Sequence, residues 1–133
     1  MNADDVDQWL RSYIEAWRAY EPEQIAALFS DDVDYRYHPD DEPVRGRDAV
    51  VASWLGDGEH PGAPTRDEPG SYDATYRTVA VDGLTAVATG TTRYRSTSRD
   101  ATDKTFDNCF VIRFDAAGRC CEFTEWYMLR PTP

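Results

Sequence analysis

The sequence predicts an α+β fold in which N-terminal helices cover one face of a curved, mostly antiparallel sheet. Three observations carry the prediction. Apolar residues recur at helical spacing through residues 4–20, and the pattern switches to strand-like alternation after Ser71. The elements also come in segregated order: helix, helix, strand, helix, then a four-strand meander.

The first helix is read from Val6, Trp9, Leu10, Tyr13, Ile14, Trp17 and Tyr20, which form one stripe of a 3.6-residue period. Asp4, Asp5 and Asp7 suit its positive N-terminal end. Pro22 fits the first turn of a second, short helix with Ile25, Leu28 and Phe29 inward. A strand from Val33 to His38 puts Val33, Tyr35 and Tyr37 on one face and ends at Pro39. Gly46 to Leu55 reads as a third helix, with Asp48 as cap and Trp54 as anchor. The Gly/Pro-rich run from Gly56 to Gly70, which includes His60, is the long loop, either a lid or a connector. Val81-Asp82-Gly83-Leu84 is a hairpin signal, with Asp-Gly expected at the centre of a type I′ turn. A long strand from Leu84 to about Thr97 and a terminal hairpin complete the meander.

A length of 133 residues fits one domain, residues 1–133, with a substantial core. The net charge of −11 comes from 17 Asp and 8 Glu against 13 Arg and one Lys. Such a surface repels phosphate backbones and anionic lipid, so neither nucleic acid nor a membrane is an expected partner. No apolar run approaches the roughly 20 residues that a membrane span needs, and the N-terminus lacks the basic and apolar regions of a secretory signal. Cys109, Cys120 and Cys121 make a poor disulfide set, because neighbours on a strand point to opposite faces. A cytoplasmic protein is expected. Neither a phosphate-binding glycine motif, nor zinc spacing, nor a serine nucleophile elbow is present, and no cofactor or metal is expected.

The chemistry concentrates in Phe106 to Pro131. Asp107, Asn108, Glu125 and Tyr127 stand where a plain core strand would carry Val or Ile. A carboxylate embedded in such a strand needs a partner, a cavity or a chemical role. If Asp115 faces Arg119 across an Ala-Ala-Gly turn, simple pairing sets Asp107 opposite Tyr127, Cys109 opposite Glu125 and Val111 opposite Phe123. Asp107 and Glu125 then share a face and titrate as a coupled pair, one acid and one base. The alternative is a structural ion network with Arg93, Arg95 or Arg113. The other face, with Phe110, Ile112, Phe114, Trp126 and Met128, is also apolar and needs a second cover, which predicts a homodimer through the sheet. His38, oriented by Asp40 or Asp41, is a second candidate base, and its alternative is a strand-end histidine beside acids.

Three segments resemble the nuclear transport factor 2-like superfamily, in its SnoaL-like and ketosteroid-isomerase-like branch. They are Ser12-Tyr13-Ile14-Glu15 with the short helix ending LFSDDV, the block DDVDYRYHPDDEPVRGRDAV, and FDNCFVIRFDAAGRCCEFTEWY. The resemblance implies a cone-shaped curved sheet wrapped around the N-terminal helices. It places Tyr13 at the position of an oxyanion-hole tyrosine and Asp107 at that of the protonated acid completing the hole. The branch's general-base aspartate before a proline is not reproduced, since His38 precedes Pro39. An Asp-Arg-Asp arrangement like that of limonene epoxide hydrolases would have to use Asp107 with Arg93 or Arg95.

The expectation is a cofactor-independent isomerase or cyclase acting on a hydrophobic carbonyl compound. Asp107, Tyr13, Glu125 and His38 are its candidate catalytic residues; Tyr35, Tyr37, Trp54, Cys109, Phe123 and Tyr127 are its candidate substrate contacts. The alternative is a non-catalytic ligand-binding or dimerisation module of the same fold.

Overall fold

A computed structural model describes residues 1–56, 66–96 and 103–131; His60 lies outside the described residues. The chain begins with helix α1, Ala3–Ala19, started by a reciprocal capping box between Asn2 and Asp5, each side chain accepting the other's backbone N–H at 2.9 Å. Val6, Trp9, Leu10, Tyr13 and Ala16 form its buried stripe. The helix stops at Tyr20, held in the left-handed region at φ 51°, where glycine is usual. Helix α2, Pro22–Ala26, follows with Pro22 in its first turn.

Strand β1, Phe29–Arg36, turns Val33 and Tyr35 inward, with Tyr37 continuing that face. A two-residue strand β2, Val44–Arg45, pairs with it, and helix α3, Arg47–Trp54, packs over it. Gly46, not Asp48, is the residue before the first turn of α3, and no side chain caps it. The meander is β3, Tyr72–Asp82; β4, Thr85–Tyr94; β5, Lys104–Phe114; and β6, Cys120–Leu129. The sheet order is β2-β1-β6-β5-β4-β3, antiparallel except for the parallel pair β1–β6. The helices thus precede a curved mixed sheet that does not close, an α+β fold.

Two turns differ from simple expectation. In the β3–β4 hairpin the central residues are Gly83 and Leu84, and only Gly83 has positive φ, at 60°. That is a type II′ pattern, in which glycine takes the first central position.

In the β5–β6 hairpin the turn closes as expected, Asp115 N–H donating to the Arg119 carbonyl at 2.8 Å, and Phe114 pairs with Cys120. One extra residue, Cys121, is then inserted before Arg113 pairs with Glu122. This bulge shifts all later pairs by one: Asp107 faces Met128, Cys109 faces Trp126 and Phe110 faces Glu125. A slip of one residue exchanges the two faces of a strand. Phe110, Ile112 and Phe114 therefore point into the core, whereas Asp107, Cys109, Trp126 and Met128 take the outer side.

The core is aromatic. Phe123 is fully buried and stacks on Tyr35 at 4.6 Å and on Tyr13 at 5.7 Å between ring centroids. Trp9 packs edge-on against Phe29 and Phe114 and donates its Nε1–H to the Leu28 carbonyl at 3.1 Å. No helix among the described residues is long and apolar enough to cross a membrane.

Candidate active site

The open end of the curved sheet holds a cavity of about 320 Å³, at the lower end of ligand-site volumes. Its walls come from α1, the β1 end, α3 and the inward faces of β3 to β6. Tyr13, Tyr35, Tyr37, His38, Trp54, Glu125 and Tyr127 line it, together with Tyr20, Tyr76, Tyr94 and Asn108. The alternation of β6 brings Phe123, Glu125 and Tyr127 to one face once the bulge has set the parity. Phe123 lies deeper, in the core beneath the cavity, and does not line it.

Glu125 is the central group. Asn108, two residues from Phe110 on the same face of β5, donates its Nδ2–H to Glu125 Oε2 at 2.9 Å. Thr92 Oγ1 donates to Asn108 Oδ1 at 2.9 Å, and with that proton used, the Tyr76 hydroxyl is the donor in its 2.6 Å contact with Thr92. The chain Tyr76–Thr92–Asn108 thus ends in a donor aimed at the carboxylate. Among the described residues Oε1 has no hydrogen-bond partner. Burial raises the Glu125 pKa from 4.5 to about 7, against the smaller opposing effects of the Asn108 hydrogen bond and the nearby His38. A carboxyl group poised there is a competent acid and base at neutral pH.

Tyrosines surround it. Burial, reinforced by the Glu125 charge, keeps the Tyr13, Tyr35, Tyr76 and Tyr94 phenols protonated well above their usual range and pushes Tyr37 up to about 12. Tyr13 and Tyr35 share a hydrogen bond at 3.3 Å, and since one proton makes that bond the other remains for a ligand. Tyr37 is held by a short hydrogen bond to Ser53. Gly90 on β4 makes room for Tyr76: a Cβ there would lie 2.6 Å from the Tyr76 ring and 2.0 Å from the Thr75 carbonyl oxygen.

At the mouth, Asp41 Oδ2 meets His38 Nδ1 at 2.9 Å, and His38 Nε2 meets the Tyr127 hydroxyl at 2.6 Å. In the tautomer whose Nδ1–H donates to the Asp41 carboxylate, Nε2 accepts the Tyr127 O–H.

Asp107 and Cys109 stand outside this site. Both are on the outer face of β5, and Asp107 makes a two-point ion pair with Arg130, each contact 2.8 Å. The guanidinium holds its carboxyl below the usual range, the reverse of a protonated oxyanion donor. The expected Asp107–Glu125 pair is therefore not formed. Arg93 is paired with Asp103, Arg95 with Asp73 and Arg113 with Glu122, so no acid–arginine arrangement is assembled from Asp107 with Arg93 or Arg95. Asn108 stood beside Asp107 in the sequence with the signal of a polar residue in a core strand, and its role was missed. Tyr76, Thr92, Tyr94 and Asp67 were also missed, although Tyr72, Ala74 and Tyr76 alternate at strand period. No group of acids, histidines and cysteines among the described residues is arranged to hold a metal ion.

The family model described as the SnoaL-like domain matches residues 10–123, which include the cavity residues from Tyr13 to Asn108; Glu125 and Tyr127 follow just beyond it. The chain belongs to the SnoaL-like family. Among the solved structures that this SnoaL-like chain resembles is an LEH-like epoxide hydrolase of M. tuberculosis. The match has a TM-score of 0.62 and 14% identity, over 95% of this chain and 84% of that one, a likeness of fold. No curated protein sequence matches the chain at a significant level.

Proposed function

We propose that this SnoaL-like domain is a cofactor-independent acid–base enzyme of the isomerase or cyclase type, acting on a hydrophobic carbonyl compound held in the tyrosine-lined cavity. The observation that carries the reading is Glu125, a desolvated carboxyl titrating near neutrality inside a cavity whose phenols remain proton donors. Glu125 would take the proton from the carbon next to the carbonyl. The spare Tyr13 or Tyr35 hydroxyl proton would donate to the enolate oxygen as its charge develops. Glu125 would then return the proton at another carbon, or the enolate carbon would attack an internal carbonyl carbon and the alkoxide formed would take the proton back from Glu125. His38, its Nδ1 held by Asp41, would take up a second proton at Nε2, beside Tyr127 at the mouth.

The test is turnover on a panel of aryl and polycyclic ketones. Glu125→Gln is expected to lower it by about two to four powers of ten and Tyr13→Phe by about two to three, with thermal unfolding confirming that both variants fold. Undiminished turnover in Glu125→Gln would remove the mechanism.

A homodimer is the second part of the proposal. The outer face carries Trp126 and Met128, 43% and 74% exposed, beside Cys109 and Val111. Such an apolar face is supported best by a second copy as cover. Sedimentation equilibrium is expected to give a dimer that Met128→Glu dissociates. A monomer at all concentrations would contradict it.

A further inference from the structure

We propose that the cavity takes an organic cation: an amphipathic molecule whose ammonium group sits against Asp67 while its apolar body lies among the tyrosine rings. This names the ligand class of the site described above and rests on that reading for the site's location alone. It holds whether or not Glu125 moves a proton.

Among the described residues, the carboxyl groups of the lining face no Lys or Arg. They are Glu125 and Asp67, with His38 the single nitrogen base of the described lining. A carboxylate or phosphate ligand would meet two acids and no strong cation.

Asp67 has the geometry of a group awaiting a partner. It is partly buried at the rim, and its Oδ2 accepts from Trp17 Nε1 at 3.0 Å and from the Tyr20 hydroxyl at 3.5 Å. Its Oδ1 has no hydrogen-bond partner among the described residues. The Tyr20 hydroxyl also accepts the Asp67 backbone N–H at 2.8 Å, which fixes the carboxylate to the end of the first helix. Tyr20 does this from a left-handed backbone conformation unusual for a side-chain-bearing residue, so the contact is retained against local strain. A partly buried carboxylate whose second oxygen has no partner among the described residues offers that oxygen to a cation.

The walls suit the same guest. Trp17, Tyr20 and Tyr94 line the cavity with Asp67, and rings of this kind attract ammonium groups over their faces. The Arg66 guanidinium already lies 5.5 Å from the Tyr20 ring centroid, while its Nε donates to the Leu55 carbonyl and makes no ion pair with Asp67. One face of Trp17 is covered by Tyr72, stacked at 3.9 Å, leaving Tyr94 and the open ring surfaces for a ligand. The net charge of −11 favours the approach of cations over anions.

The test is equilibrium binding of three para-substituted aryl ketones, followed by tryptophan fluorescence and ligand-observed NMR. They are 4-(trimethylammonio)acetophenone, its neutral isostere 4-tert-butylacetophenone, and 4-acetylbenzoate. The cation is expected to bind about tenfold tighter than the neutral isostere, and the carboxylate weakest. Asp67→Asn, which keeps an acceptor for Trp17, is expected to weaken the cation about tenfold and so erase its preference over the neutral isostere. Glu125→Gln, which stops the proposed proton transfer, is expected to keep a preference for the cation, so failure of the chemistry and failure of the ligand class read out separately. Equal binding of cation and neutral isostere, a preference that survives Asp67→Asn, or binding of none of the three would overturn the proposal.

Discussion

Asn108 Nδ2 lies 2.9 Å from Glu125 Oε2, and this one hydrogen bond connects the polar chain on β3, β4 and β5 to the acid on β6. The amide can donate there because Thr92 occupies its oxygen. Asn108→Leu removes a donor that favours the ionised carboxyl, so the Glu125 pKa is expected to rise above about 7. It also strands the Thr92 hydroxyl, at a stability cost of about 1–3 kcal/mol. A carboxyl-carbon NMR titration reads the first effect and urea unfolding the second.

The raised Glu125 pKa sets a pH dependence of stability. Between the unfolded value of 4.5 and the folded value of about 7, the native state holds a proton that the unfolded chain has released. Stability therefore falls as pH rises through that window, by about 3 kcal/mol in all for a shift of this size. Glu125→Gln is expected to remove that part of the slope and to be more stable than the parent at pH 8. Urea midpoints of the two proteins at pH 5 and pH 8 check the sign. Burial also raises the Asp67 pKa, in the same sense, so the difference between the two proteins isolates Glu125.

Asp107→Asn is expected to leave turnover unchanged. Its carboxyl is on the outer face with Arg130, half exposed, and lies outside the cavity. A loss of turnover comparable to that of Glu125→Gln would mean that β5 runs in the other register.

Gly90→Ala is expected to destabilise the protein by about 2–3 kcal/mol, the scale of overpacking against backbone that cannot move away. A new Cβ meets the Thr75 carbonyl oxygen and the Tyr76 ring. Any ligand binding that depends on Tyr76 should weaken in parallel. Thermal unfolding and ligand titration read the two effects.

The sequence made some of this legible and concealed the rest for definite reasons. The stripe from Val6 to Trp17 gave helix α1, because 3.6-residue periodicity is a local signal. Val33, Tyr35 and Tyr37 showed their shared face because the two-residue alternation of a strand is equally local. The turn at Asp115–Arg119 was also readable, yet the pairing beyond it was not. Nothing about Cys120 and Cys121 announces a bulge, and one inserted residue moved Asp107 and Cys109 out of the site and set Glu125 opposite Phe110. Strand β2 is too short to show a period, and the parallel β1–β6 pairing depends on contacts between distant parts of the chain. Glu125, Tyr13, His38 and Tyr127 could be nominated as polar groups in apolar surroundings. Asn108 acquires meaning only when β4 brings Thr92 beside it.

The central claim is that Glu125 moves protons within the cavity, and solvent deuterium exchange at the carbon next to the carbonyl of a bound aryl ketone tests it most directly. Followed by NMR from pH 5 to 9, exchange by the parent protein should rise with an apparent pKa near 7 and fall by at least about a hundredfold in Glu125→Gln. Equal exchange rates in the parent and in Glu125→Gln would contradict the account.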